Sequence, residues 1–584
     1  MRVTARWSRS VTILALASLG ELVVIGWRAT HTRAEAVSFP APSADGARVV
    51  PPTRTTPAAP DASIDVTYYD LDLALHPAER SLSGSVRVVA RATRHIDALV
   101  LQLAPEMHVD SARMSGRRTH PSHVGSALRI PFPTHVPPGA PLDARIFYHG
   151  TPGGDMGPDN AFQFGSHAGA PIIASYGLPY SARQWWPAHD TPADKADSAT
   201  LSFTVPAPMV AVSNGRLTST RHNADTTITY RWHVGAPIYS DVISVVATNF
   251  VHFDSAYVTA AGDTMPIVFY VFPEDEAKAR ATFAPVPDIL RTYVSLFGAY
   301  PYVHEKYGLA EFQIRGYREH QTITSLGAAW ITGDRSSDRT LAHEVAHQWF
   351  GDRVTVRNWS HIWLNEGFAT YAWALWRERT GGPTAYAAAM RALDTHDFTG
   401  TVFVADSMDM ARMFTHTTFN KGAWVLHMLR HVMGDSAFFN TLRAWVRDHA
   451  DGPVTTDDFR RACEAAHGAP LGWFFDEWVY RGGRPTYAVS WRAPRIAAGA
   501  DSDVVITITQ TQSGPVFRMP LDVRVSFSSG DTTLVVHDTA RAQTVRLHTP
   551  GAPSAVRVDP NGWVLKTMAA PVAPAPRSGR AARS

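Results

Sequence analysis

His343 and His347 lie four residues apart with Glu344 beside the first of them, a spacing that on a helix sends both imidazoles from one face toward a single point. Glu344 projects in another direction and is placed to reach a water held at a metal rather than the metal itself. A third ligand comes from Glu366, nineteen residues past His347 in the run Trp363-Leu364-Asn365-Glu366-Gly367. Three protein ligands with one open position describe a catalytic zinc, one Zn2+ per chain, rather than a structural one. Such a zinc lowers the pKa of a bound water toward about 7 and polarises a carbonyl. Glu344 then takes the water's proton and passes it to a leaving amine. The pattern is short enough to arise on an ordinary amphipathic helix, so its surroundings matter. Asp338 is expected to cap a helix over 339–350, ended by Gly351-Asp352. Glu366 falls in the first turns of a second predicted helix, 362–379, among Trp363, Leu364 and Phe368, where a carboxylate without a partner is costly.

The elements that must hold these groups follow from periodicity along 584 residues, too many for one domain. Arg2, Arg6 and Arg9 precede an apolar stretch, 11–27, broken by Glu21, and Ala34-Glu35-Ala36 offers a small-residue cleavage site. Residues 1–36 therefore read as an export signal, or as an uncleaved membrane anchor, with a periplasmic or extracellular destination. Residues 37–62, rich in Pro, Ala and Thr, read as a disordered spacer. Alternation then begins with Tyr69, Leu71, Leu73 and Leu75 and continues in short runs, predicting an all-β domain over 63–270. Helical periods dominate 271–484, apart from a strand-rich patch at 307–331. Alternation returns over 485–567, enough for a small β-sandwich, and 568–584 reads as a disordered tail. The expected fold class is thus multidomain α+β. Formal net charge is only +2, from 54 basic and 52 acidic residues, which argues against a nucleic-acid partner. The single cysteine, Cys463, excludes an intramolecular disulfide and reads as a small buried hydrophobe.

The segments His343-Glu344-Val345-Ala346-His347-Gln348-Trp349-Phe350-Gly351-Asp352 and Trp363-Leu364-Asn365-Glu366-Gly367-Phe368-Ala369 resemble the aminopeptidase N family of zinc metallopeptidases, the gluzincins. Matching stretches at Trp186-Pro187, Asp190, Pro192 and Asp194-Lys195-Ala196, and at Lys421-Gly422-Ala423-Trp424, occur in the family's order. The resemblance implies a saddle-like N-terminal β domain, a thermolysin-like catalytic domain and peptide substrates. It resembles a short bacterial form, without the large helical C-terminal domain of many members.

The resemblance also assigns roles beyond the metal. Family aminopeptidases hold the substrate's ammonium with a glutamate in a Gly-x-Met-Glu-Asn segment. Here that segment reads Gly316-Tyr317-Arg318-Glu319-His320, so Glu319 is expected to bind the amine and backbone near Gly316 the peptide main chain. Arg315, just before the glycine, is expected to tilt preference toward acidic or polar first residues. The family's transition-state tyrosine is replaced by Phe419, and no tyrosine occurs between Tyr386 and Tyr480 to take its place. Losing such a donor typically lowers the rate about a hundred- to a thousandfold. The expectation is accordingly a zinc aminopeptidase, with a low-turnover, altered-specificity or peptide-binding relative as the alternative. His416, Thr418 and His320 are the candidate replacement donors. His427 and His431, also four apart, lack an intervening glutamate and read as structural, as do His189 and Asp190. Trp349, Trp359, Trp363, Trp373 and Trp376 read as core or cleft walls.

Overall fold

A computed structural model describes residues 62–569, apart from 154–160, 178, 314–315, 396–397, 494–501, 550 and 552. The export segment, nearly all of the spacer, Arg315 and the tail from 570 lie outside the described residues. Among the described residues no helix is long and apolar enough to cross a membrane. The chain divides into two compact units, one through Gly482 and one from Gly483.

The first unit opens with an eight-stranded sheet. Its centre pairs Ile64–His76 antiparallel with Ser81–Ala92 and parallel with Ser198–Pro206. The expected alternation is what builds its inner face. Tyr69, Leu71, Leu73, Leu75, Val86 and Val88 are buried, as are Leu201, Phe203 and Val205 from the neighbouring strand. A four-stranded sheet containing Ala170–Ser175 and Val245–Thr248 lies in the same stretch of chain. This is the all-β N-terminal region, and a mainly helical region follows it, giving the mixed α+β class that the sequence predicts.

The boundary expected at 270 falls at the end of a strand that serves the helical region. Val251–Val258 and Thr264–Val271 join Tyr307–Phe312, Thr324–Gly327 and Tyr317–Arg318 in one five-stranded sheet. Thr264–Val271 runs parallel to Tyr307–Phe312, with the helices Glu276–Phe283 and Val286–Phe297 in the connection. A period of two reveals a strand but not its partner, which is why the sequence reading split this sheet.

Two helices carry the metal pattern. The first, Asp338–His347, starts one residue earlier and stops three residues earlier than expected. Ser337 occupies the cap position, and Asp338 lies within the first turn, accepting from Arg335 Nε at 2.8 Å, where a carboxylate also favours the helix dipole. The second starts at Trp363 and ends at Gly382, whose φ of +69 and ψ of −170 are not helical, close to its predicted end; a further helix begins behind it with Pro383 and runs to Ala392. Trp349, Trp363 and Trp376 fill the core around them. Glycines bring the second helix against Gly422–Met433: a Cβ on Gly367 would stand 3.0 Å from the Cα of Gly422, so no side chain fits at this crossing.

The second unit holds a four-stranded sheet, containing Thr486–Arg492 and Ser502–Gln510, and a three-stranded sheet around Met519–Phe527. Val504, Ile506 and Ile508 from one, and Leu521, Val523 and Val525 from the other, are buried, as the alternation requires of a small two-sheet unit. Trp491 departs from it and is 39% exposed.

A candidate metal centre and its two flanking cavities

The two helices bring three nitrogen and oxygen atoms to one point. Nε2 of His343 and Nε2 of His347 are 3.0 Å apart. Oε2 of Glu366 lies 3.2 Å from the first and 3.6 Å from the second. A tetrahedral zinc with bonds of about 2.0–2.2 Å has ligand-to-ligand edges of roughly 3.3 Å, so the triangle fits that ion. The protonation pattern agrees. Nδ1 of His347 faces two acceptors, Asn365 Oδ1 at 2.7 Å and the Phe350 carbonyl at 3.1 Å, so it carries the proton and leaves Nε2 a bare lone pair. Thr370 Oγ1 stands 3.3 Å from Nδ1 of His343 and orients that ring in turn. Glu366 Oε2 and both carboxylate oxygens of Glu344 are buried without a hydrogen-bond partner. Buried oxygens in this state call for a cation.

Electrostatics point the same way. Burial pushes His343 down to about 3, keeping it neutral. Burial, with the Glu319 and Glu366 carboxylates nearby, raises Glu344 well above the usual range. Burial also lifts Glu366 to about 7, with His347 opposing and Glu319 adding to the shift. Three carboxylates crowded into one pocket repel one another unless positive charge sits among them.

Glu319 is the third. One of its oxygens lies within 4.8 Å of ligand atoms of His347 and Glu366. Burial opposes its ionisation, yet His347, Arg318 and its own backbone amide hold it below the usual carboxylate range. It forms no ion pair among the described residues. Arg318, its neighbour, is engaged elsewhere: Nε donates to the Tyr176 carbonyl at 3.1 Å and Nη1 to that of Tyr317 at 2.7 Å, with the guanidinium 3.8 Å from the Tyr176 ring centre. The edge strand Tyr317–Arg318 explains the division, because successive side chains leave a strand on opposite faces. Tyr317 and Glu319 face the metal cluster and Arg318 faces Tyr176. Gly316 enters this strand at φ +111, and its carbonyl accepts from Gly327 N at 2.9 Å, so that group is spent within the sheet.

Cavities open on both sides of the cluster. The Glu319 side is lined by Arg318, Tyr239, Asp241, Trp359 and Phe414 among others. The His343 side is lined by Tyr317, Arg339, Thr340, Thr370, Trp373 and Phe419. Phe419 sits in a five-residue π-helical turn, Thr417–Lys421, and stacks on the His343 ring with centroids 5.8 Å apart. Phe419 therefore stands at the site and not beside it. Of the candidate replacement donors, Thr418 Oγ1 is directed to the Arg412 carbonyl, His416 is exposed, and His320 is buried with Nδ1 3.0 Å from Ser325 Oγ.

Asn365, Thr370, Tyr317 and Arg318 carry no assigned role in the sequence reading. Thr370 was accessible to it, lying one helical turn after Glu366. Asn365 was visible only as part of a motif, and its contact needs Gly351 at φ +127, where a Cβ would collide with the Asn365 side-chain oxygen. The smaller readings hold as structural. His427 Nδ1 meets Tyr386 Oη at 2.6 Å, His189 Nδ1 meets Asp194 at 2.5 Å, and Asp190 pairs with Arg183. Lys195 donates to the carbonyls of Asp352 and Arg353, tying the β region to the end of the first site helix. Cys463 is buried. Among the described residues, the groups able to hold a metal all include His347.

Comparison with known proteins places this geometry. Residues 313–478 match the Peptidase family M1 domain and residues 66–240 the Peptidase M1 N-terminal domain. Aminopeptidase M1 of Arabidopsis thaliana is 26% identical over 327 residues, covering 53% of this chain and 36% of the plant protein, so the match spans about a third of that relative's length. The crystal structure of an M1 zinc metallopeptidase from Deinococcus radiodurans, bound to a Tyr-Ser-Ala substrate, superposes with a TM-score of 0.62 at 28% identity, covering 72% of this chain and 94% of that one. Aminopeptidase A of Legionella pneumophila, in complex with aspartic acid, shares the fold at a TM-score of 0.73 and 18% identity, covering 88% of this chain and 60% of its own. The two matched domains in their order, with the His343, His347 and Glu366 triangle inside the second and zinc as the cofactor, make this chain a member of peptidase family M1, the zinc metallopeptidases to which aminopeptidase N belongs.

Proposed function

We propose that the protein is a zinc-dependent aminopeptidase that removes single residues from the N-termini of peptides. The observation that carries this reading is Glu319: an ionised, half-buried carboxylate beside His347 and Glu366, without an ion-pair partner among the described residues. An endopeptidase has no use for an anion there, whereas a free ammonium fits it. His343, His347 and Glu366 would hold zinc, which when bound polarises a carbonyl and makes a water acidic enough to attack near neutral pH. Glu344 accepts the proton of the attacking water and delivers it to the departing amine. The open side of the edge strand Tyr317–Arg318 can add the substrate main chain as a further strand. The Deinococcus enzyme, with its bound tripeptide, is the precedent for such a substrate.

Arg318 names the first residue this site would favour. Its guanidinium lines the Glu319-side cavity with no carboxylate in ion-pair range among the described residues, so an acidic side chain on the substrate meets it there. The role given to Arg315 by the sequence thus has a second bearer three residues on. A panel of aminoacyl reporters should show faster release of Glu and Asp; preference for Leu or Arg would contradict it. Phe419 motivates a second reading, a low-turnover or peptide-binding relative, since a phenyl ring on His343 offers no hydrogen to an oxyanion. Export through the N-terminal apolar segment, with or without retention as an anchor, belongs to the same proposal. The deciding experiment assays zinc-loaded protein on free and N-acetylated peptides beside Glu344→Gln. Cleavage of free peptides alone, lost in the variant, is expected. Equal cleavage of both would remove Glu319 from its role.

A further inference from the structure

Attack on a carbonyl leaves negative charge on its oxygen, and a donor aimed at that oxygen is worth about a hundred- to a thousandfold in rate. The wall where Phe419 stands cannot supply one. The other polar side chains lining the His343-side cavity differ in how far they are already committed. Thr370 is occupied with Nδ1 of His343. Arg339 is held over the Trp373 ring at 5.0 Å and donates to Asn420 Oδ1. Thr340 is buried on the first site helix, one turn before Glu344. Tyr317 remains. Its ring packs edge-on to His343, with centroids 6.1 Å apart, on the same cavity wall as Phe419. Its hydroxyl makes no hydrogen bond among the described residues. The strand that carries it also sends Glu319 to the metal cluster, so one rigid edge would position both the amine acceptor and a phenol. A phenol, with an ordinary pKa of about 10, is protonated near neutral pH and is therefore a donor.

We infer that Tyr317 is a catalytic residue, whose phenol donates to the oxygen that becomes negative as the peptide bond is attacked, doing from the edge strand what the side chain at 419 cannot. The inference rests on the aminopeptidase reading. No bond is made or broken by Tyr317; its proton stays on the phenol and is shared more strongly as charge develops.

The test is Tyr317→Phe, which removes one oxygen and little else. The expected result is a fall in kcat of about a hundredfold or more with KM nearly unchanged. Zinc content and melting temperature should match the parent. Binding supplies a readout apart from turnover. By calorimetry, affinity for a phosphinic peptide with a tetrahedral phosphorus should fall by a similar factor, while affinity for a free product amino acid stays. Phe419→Tyr should restore Tyr317→Phe yet change the parent less than tenfold. Unaltered kcat and phosphinic affinity in Tyr317→Phe overturn the inference. A hundredfold gain from Phe419→Tyr alone overturns it too, as does a loss of the expected size in Thr340→Val with none in Tyr317→Phe. Should Tyr317→Phe fail to fold, the Phe419→Tyr gain decides. A parent that cleaves no free peptide would defeat the aminopeptidase reading, and phosphinic binding would still report on Tyr317.

Discussion

His343, His347 and Glu366 hang from two packed helices, deep in the first unit, whereas Tyr317 and Arg318 hang from a two-residue strand at the rim of a sheet, and Glu319 follows directly behind it. The helical half is closed: each imidazole has its outer nitrogen engaged, by Asn365 or Thr370, and all three ligands are buried. The strand half is half-buried, and its side chains line the two cavities. A metal needs fixed angles and a fixed charge, which buried helices provide. A substrate needs access and choice, which a strand edge provides through its unpaired backbone and alternating faces. On the proposed reading, the division gives metal retention and proton transfer to one half, and recognition, together with the Tyr317 phenol, to the other.

Mutations that should separate these duties test the contrast. Glu344→Gln is expected to reduce kcat on the order of a thousandfold while zinc stoichiometry by metal analysis stays at one. Zinc loss in that variant would mean that proton transfer and metal retention are not separable within the helical half. Glu319→Gln should weaken kcat/KM for free peptides by roughly thirty- to a hundredfold, the loss of a charged contact of about 2–3 kcal/mol, and leave zinc stoichiometry unchanged. Zinc loss on that substitution would dissolve the distinction between the halves. Asn365→Ala frees the His347 ring and should lower zinc affinity by about ten- to a hundredfold in a chelator competition, with KM on reloaded enzyme unchanged. Arg318→Met, the mildest, should shift preference from acidic toward apolar first residues by about tenfold without touching zinc affinity.

The same contrast explains what the sequence could reveal. The ligand triad was legible because helical spacing is local: residues four apart must share a face whatever surrounds them. The β character of residues 63–270 was legible for a parallel reason, since Leu71, Leu73 and Leu75 alternate wherever the strand is placed. Partners were not. That Thr264–Val271 belongs with Tyr307–Phe312 depends on a parallel pairing across an intervening pair of helices. Tyr317 carries no local signal, because nothing nearby in the sequence distinguishes a tyrosine facing a ligand cluster from one facing a core. Asn365, eighteen residues from its partner His347, reaches it only because the backbone turns at Gly351. Helix ends were misplaced where tertiary contacts, such as the Phe350 carbonyl on His347, interrupt a favourable period.

The seam where Gly367 meets Gly422 has a consequence for how such a site can change over time. Backbone touches backbone there, one residue after Glu366 and three after Phe419, so neither helix can move toward the other, and moving apart would open a void. The span between the metal and that wall is therefore fixed by the main chain. New specificities must be reached by exchanging side chains on a constant frame, at 318, 339 and 373, and not by widening it. A combinatorial library confined to those three positions should retain folded, metal-loaded members far more often than one spread over 363–371 and 419–425.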